Sequence, residues 1–173
     1  MPSNKPRLYI AIYVSGVENN EERKYHWGFL IGPKVEEGED VVPGARYHVK
    51  NSLQEWTFEE AALVNIRNTK GLLARIVIAK IEDEQRLVAL LRRVPVIQDN
   101  PNWRCRTWVA DALAEIAKDG KCVGTAELDW QKIEALARQY VGDKSVSGRY
   151  LTPADVLRPK PTWDMLGNRE SVP

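Results

Sequence analysis

The sequence predicts an α+β protein, an antiparallel sheet packed against a helix that bears a cysteine. Three observations predict it. The first third alternates apolar and polar residues and is rich in β-branched and aromatic types, as half-buried strands are. The second half repeats its apolar residues at spacings of three and four, the helical period. Strands precede helices instead of alternating with them, the order of segregated α+β layers.

In chain order, "RLYIAIYV" (7–14), "YHWGFLI" (25–31) and "ARYHVK" (45–50) read as three strands. The connector "GPKVEEGEDVVPG" (32–44) reads as a long, acidic, mobile hairpin loop, a surface lid or a tolerated insertion. Residues 54–66 admit two readings, because Thr57 and Glu60 have the spacing of a helix capping box while "EWTFE" suits a strand. "LLARIVIAKI" (72–81) is apolar on nearly both faces and predicts a central strand. Asp83 then caps a helix carrying Leu87, Leu90, Leu91 and Val94 on one stripe, which Pro95 ends. A second helix starts near Asn100 or Asn102, with Pro101 at its first turn and Gly120 as its stop; a third begins near Asp129 with Ile133, Leu136, Ala137 and Tyr140 on one face. From about Ser145 onward, four prolines and little periodicity predict an extended tail wrapping the domain, here taken as 145–173. The 173 residues suit one domain spanning the whole chain.

Composition excludes several classes of function. Twenty-five basic and 24 acidic residues, well interspersed, leave a net charge of +1 and no basic face of the kind that binds a phosphate backbone, which argues against a nucleic-acid partner. No run approaches the ~18 apolar residues of a membrane span, and the first apolar segment is too short for a secretory leader, so a cytoplasmic setting is expected. Two cysteines cannot frame a fold with disulfides, and a bridge between Cys105 and Cys122 is disfavoured in a reducing compartment. No close-spaced His, Cys and carboxylate cluster has zinc-ligand spacing, so neither a metal nor a cofactor is expected.

Chemistry concentrates around "NPNWRCRTWVADALAEIAKDG" (100–120). In the first turn of a helix, unpaired N–H groups and the helix dipole favour a negative charge, so Cys105 there is a candidate thiolate, flanked by Arg104 and Arg106. The competing reading is structural: Cys105, Trp108, Val109, Ala112, Leu113 and Ile116 form one apolar stripe, and free cysteines are commonly buried. The chain has only two histidines, His26 and His48, both on strands expected to pack near that helix. A thiol nucleophile needs a base and a third group to orient the base, and these residues fill all three roles. The competing reading of either histidine is a satisfied side chain on a half-exposed face, the more common state of a lone strand histidine.

The succession "HWGFLIG", "YHV" and "NWRCRTWVADAL" resembles circularly permuted papain-like proteins, the superfamily of the lecithin–retinol acyltransferase group, the NlpC-like hydrolases and the PPPDE isopeptidases. In the acyltransferase group one strand begins His-Trp, the next carries a second His, and an Asn-Cys pair opens a helix. The likeness covers roughly residues 7–118 and departs in Asn102, three residues before the cysteine instead of adjacent to it, in the longer loop between the histidine strands, and in the lack of a membrane-anchoring tail. The "W-x-C-x-x-W-V" segment and the "PTWDML" tail also resemble a group of fungal proteins that brings no activity with it.

The resemblance implies a cysteine-dependent hydrolase or acyltransferase that attacks an amide, ester or thioester of a small-molecule or peptide substrate. Cys105 would be its nucleophile, His26 its base and His48 the orienting third member. The oxyanion would rest on the Cys105 N–H and a donor such as Tyr13 or Asn102, with Trp27, Trp103 and Trp108 lining a groove or, as is more common for tryptophans at these spacings, filling the core. Two alternatives share the scaffold: a non-catalytic binding protein, and a small cyclase or isomerase that uses His26 without covalent catalysis.

Overall fold

The computed structural model describes residues 4–173 and confirms the α+β class. One sheet runs in the order β4-β3-β2-β1-β5-β7-β8. Its strands are β1 (Arg7–Val14), β2 (Tyr25–Gly32), β3 (Gly44–Ser52), β4 (Glu55–Leu63), β5 (Leu72–Ile81), β6 (Val123–Ala126), β7 (Thr162–Asp164) and β8 (Arg169–Val172). The first five pair antiparallel with their neighbours, and β7 joins β5 in parallel. The ten-residue β5 is long enough to share its outer edge, holding β7 along Arg75 to Val77 and β6 at Ala79 and Ile81.

Because side chains alternate across a strand, the sheet has two distinct faces. Leu8, Ile10, Ile12, Trp27, Phe29, Ile31, Ile76 and Ile78 join the main core, which the helices α1 (Glu84–Arg93), α2 (Cys105–Asp119) and α3 (Trp130–Val146) close. Tyr9, Ala11, Tyr13, Leu30 and Val77 face the other way and pack with Val42 and Ile66, supplied by loops. Those loops are fastened to each other through Ile66 N–H on Val42 O (2.8 Å) and Val42 N–H on Asn65 Oδ1 (3.1 Å).

The helices start and stop where their end residues require. Asp83 accepts from Arg86 N–H at 3.0 Å to cap α1, and Val94, extended ahead of Pro95, ends it. Asp129 accepts from Gln131 and Lys132 to cap α3. Gly120 adopts φ +71° to end α2, a left-handed stop that a side chain would strain. The stripe from Cys105 to Ile116 is buried throughout.

One open reading is resolved and three expectations need correction. Residues 55–63 are strand β4, closing a hairpin on β3 through Leu53 and Gln54 at φ +53° and +68°. The cap of α2 is Arg104, not Asn100 or Asn102, which lie in the preceding turn where Asn100 Oδ1 accepts from Asn102 N–H (2.9 Å). The acidic loop 33–43 is anchored, because Glu36 makes a two-pronged ion pair (2.8 and 2.9 Å) with Arg75, a residue with no exposed surface. The segment from 145 ends α3 and then supplies α4 (Pro153–Leu157), β7 and β8, so its last part extends the sheet. Both cysteines are free.

Candidate active site

The ladder between β2 and β3 is confined to Phe29↔Tyr47, Leu30↔Arg46 and Ile31↔Ala45, so toward the start of β2 and the end of β3 the strands part. At that opening a cavity of about 420 Å³ has His26, Lys50, Trp56, Arg104, Cys105 and Arg106 in its wall. It brings together the first residue of α2, the start of β2, the end of β3 and the start of β4, strands far from that helix in sequence.

His26 and His48 project from the sheet face opposite the helices. Their rings meet across the gap, with His26 Nε2 2.7 Å from His48 Nδ1. His48 Nε2 lies 2.9 Å from Oε1 of Glu59, its direct cross-strand partner on β4. Gly28 makes room for this: a Cβ there would come within 2.9 Å of the His48 Cβ, so glycine lets the His48 side chain pack directly against β2. Glu59 is also held by Lys50 Nζ (2.5 Å) and Arg46 Nη2 (3.5 Å), and hydrogen bonds from His48 and Lys50 hold its carboxyl down at about 2.

The proton positions follow from Glu59. As a carboxylate it only accepts, so His48 donates from Nε2 and presents a lone pair at Nδ1. His26 then donates from Nε2, which leaves its Nδ1 as a basic lone pair on a ring that borders the cavity. Burial, followed by the neighbouring His48 and Arg46, lowers His26 to about 4, and burial also lowers His48 against the opposing pull of Glu59. Both rings are therefore neutral near pH 7.

Cys105 is the first residue of α2 and keeps 8% of its surface exposed. The helix cap ahead of it is an arginine, whose side chain offers no acceptor to the first-turn N–H groups, whereas Thr107 Oγ1 accepts from Arg104 N–H (3.1 Å). Burial pushes the Cys105 thiol up, outweighing the backbone N–H groups of Trp27, Arg106 and Cys105 itself and the Arg106 charge, which favour the thiolate. The expectation of a resting thiolate gives way to a buried thiol, which shares the cavity wall with the neutral His26 ring and has no hydrogen bond to it among the described residues. Cys122 differs: it is fully buried, bonded to Asp119 Oδ2 (3.1 Å), and pushed up to about 12 by burial and that carboxylate.

Of the other candidates, none borders the cavity. Tyr13 pairs across from His26 and lies buried on the same face, its hydroxyl without a partner. Asn102 is exposed in its turn. Trp27 and Trp108 have no exposed surface and pack edge-on against Trp130 (5.1 Å) and Phe29 (5.7 Å), so they are core. Trp103 is buried against Trp56 (5.6 Å), and Trp56 is the tryptophan that reaches the cavity. Sequence reasoning missed Glu59, Trp56 and Lys50. Glu59 was hidden in the ambiguous 54–66 segment, and only the β3–β4 register places it opposite His48.

The chain belongs to DUF6914, a family of unknown function, which matches residues 5–172. No curated protein and no solved structure matches it. Among the described residues no helix is long and apolar enough to cross a membrane.

Proposed function

Taking membership of that family as the premise, we propose that this protein is a cysteine-dependent hydrolase or acyltransferase of permuted papain-like type, acting on an ester, thioester or amide. The observation that carries the reading is the line of bonded groups Glu59–His48–His26, ending at a ring that borders the cavity Cys105 also borders. A cyclase using His26 alone has no need of a cysteine in the same wall.

In this reading His26 Nδ1 takes the thiol proton as the sulfur adds to the substrate carbonyl, and the N–H groups of the α2 start stabilise the oxyanion. His26 then gives that proton to the leaving group, the acyl group stays on sulfur, and water or a second acceptor releases it in the mirror sequence. The positive charge that His26 gains in the step is shared through His48 toward Glu59, which keeps its carboxylate for the purpose. A resting pair without charges suits this role, because the ion pair is made only while the reaction runs.

The test is a screen of thioesters, activated esters and isopeptides with wild type, Cys105→Ala and His26→Ala, joined to intact-mass detection of an acyl group on Cys105. Turnover with a Cys105 adduct, lost in both variants, is the expected result. Since the base form of His26 does the work, turnover falls as the pH drops through about 4, not near 6.5. Turnover that persists in Cys105→Ala refutes the reading.

A further inference from the structure

Four cations border the cavity, and their partners differ. Arg106 is bound by Glu22 (3.1 Å) and Glu134 (3.0 Å), and Lys50 by Glu59. Arg104 and Arg23 have no carboxylate partner among the described residues. The Arg104 guanidinium gives one hydrogen bond, from Nη2 to Pro101 O (3.0 Å), and its Nε is buried without an acceptor. Arg104 is also the residue directly before Cys105. A buried guanidinium N–H without a partner costs free energy unless a ligand supplies an acceptor, and the one carboxylate in the wall, Glu22, is already committed to Arg106. In a chain whose total charge is only +1, this local excess is a property of the cavity, not of the protein at large.

We infer that the cavity selects substrates that carry a carboxylate close to the carbonyl that Cys105 attacks, with Arg104 and Arg23 as the groups that recognise it. The inference rests on the proposed thiol chemistry and names its substrate class. Arginine suits the task through its planar fork, which meets a carboxylate with two parallel hydrogen bonds. Neutral and cationic acyl groups leave that fork unpaired in the wall and are disfavoured.

The experiment compares two alkylating agents of similar size on the intact protein, anionic iodoacetate and neutral iodoacetamide, with adducts at Cys105 read by peptide mass. In either case the sulfur displaces iodide and forms a thioether. The ratio of the two rates, divided by the same ratio for free glutathione, removes intrinsic reactivity. A normalised ratio of about ten in favour of iodoacetate, falling as salt is raised, is expected from a cationic cleft. Arg104→Gln brings the ratio toward one; Arg23→Gln, on an exposed side chain, lowers it in the same direction and guards against a folding defect in the first variant. Cys105 that reacts with both agents at a normalised ratio near one overturns this inference and leaves the thiol reading standing. Cys105 inert to both overturns the thiol reading and the inference with it.

Discussion

The sharpest consequence of the site is an acid-linked loss of stability that belongs to one imidazole. His26 has a folded value of about 4 against about 6.5 in an unfolded chain. The unfolded state therefore binds the proton first. The stability from keeping His26 neutral is whole above pH 6.5, declines as the pH falls, and is exhausted once the folded ring protonates near 4. Between pH 7.5 and 5 the gap amounts to about 1.5 pH units at 1.36 kcal/mol each, or roughly 2 kcal/mol from His26 alone. Glu59, held at about 2, does not titrate in this window. His26→Gln is the matched perturbation, because its amide N–H replaces Nε2–H as donor to His48 and cannot take up a proton in this range. Urea unfolding at pH 7.5 and 5 should show wild type losing about 2 kcal/mol more than the variant. An equal loss in both proteins would refute the argument that a buried, neutral His26 ends the relay.

Three further outcomes follow from the same geometry. Gly28→Ala puts a methyl against the His48 Cβ at 2.9 Å; the expected cost is about 1–3 kcal/mol in denaturant unfolding, with slower alkylation of Cys105 as the rings separate. Glu36→Ala leaves the buried Arg75 charge without its carboxylate, and a loss of about 3–5 kcal/mol, read from unfolding curves, is expected against little change for the exposed Glu37→Ala. Replacing Leu53-Gln54 by Asn-Gly relieves two residues from left-handed backbone in a two-residue hairpin turn, and should raise stability by about 1–2 kcal/mol.

That last turn also shows why part of the site was illegible in the sequence. A two-residue hairpin with both φ values positive normally announces itself as Asn-Gly or Asp-Gly. Here Leu53 is 98% exposed and neither turn residue is a usual one, so β4 lost its punctuation and Glu59 its place in the relay. Arg104 misled in a similar way, since a helix cap is sought among Ser, Thr, Asp and Asn, and the nearby asparagines drew the boundary two or more residues early. The strands β6, β7 and β8 are three or four residues long, too short for a period, and β7 finds β5 across 87 positions of chain. Long-range pairing of that kind leaves no local trace. The legible parts are those with a local cause: the alternation of β1 and β2, the apolar run of β5, the capping aspartates 83 and 129, and the stripe that carries Cys105.

The parting of β2 from β3 gives the imidazole pair a second role beside the proposed proton path. Beyond Phe29↔Tyr47 the bond between His26 and His48 takes the place of a main-chain rung, so the groups proposed to react double as the fastener of the cavity mouth. Such a fastener changes strength with its load. In the proposed cycle a proton on His26 turns a neutral hydrogen bond into a charge-assisted one, shorter and about twice as strong. The mouth is then drawn tightest while the acyl group is being transferred, and it slackens when the proton departs with the product.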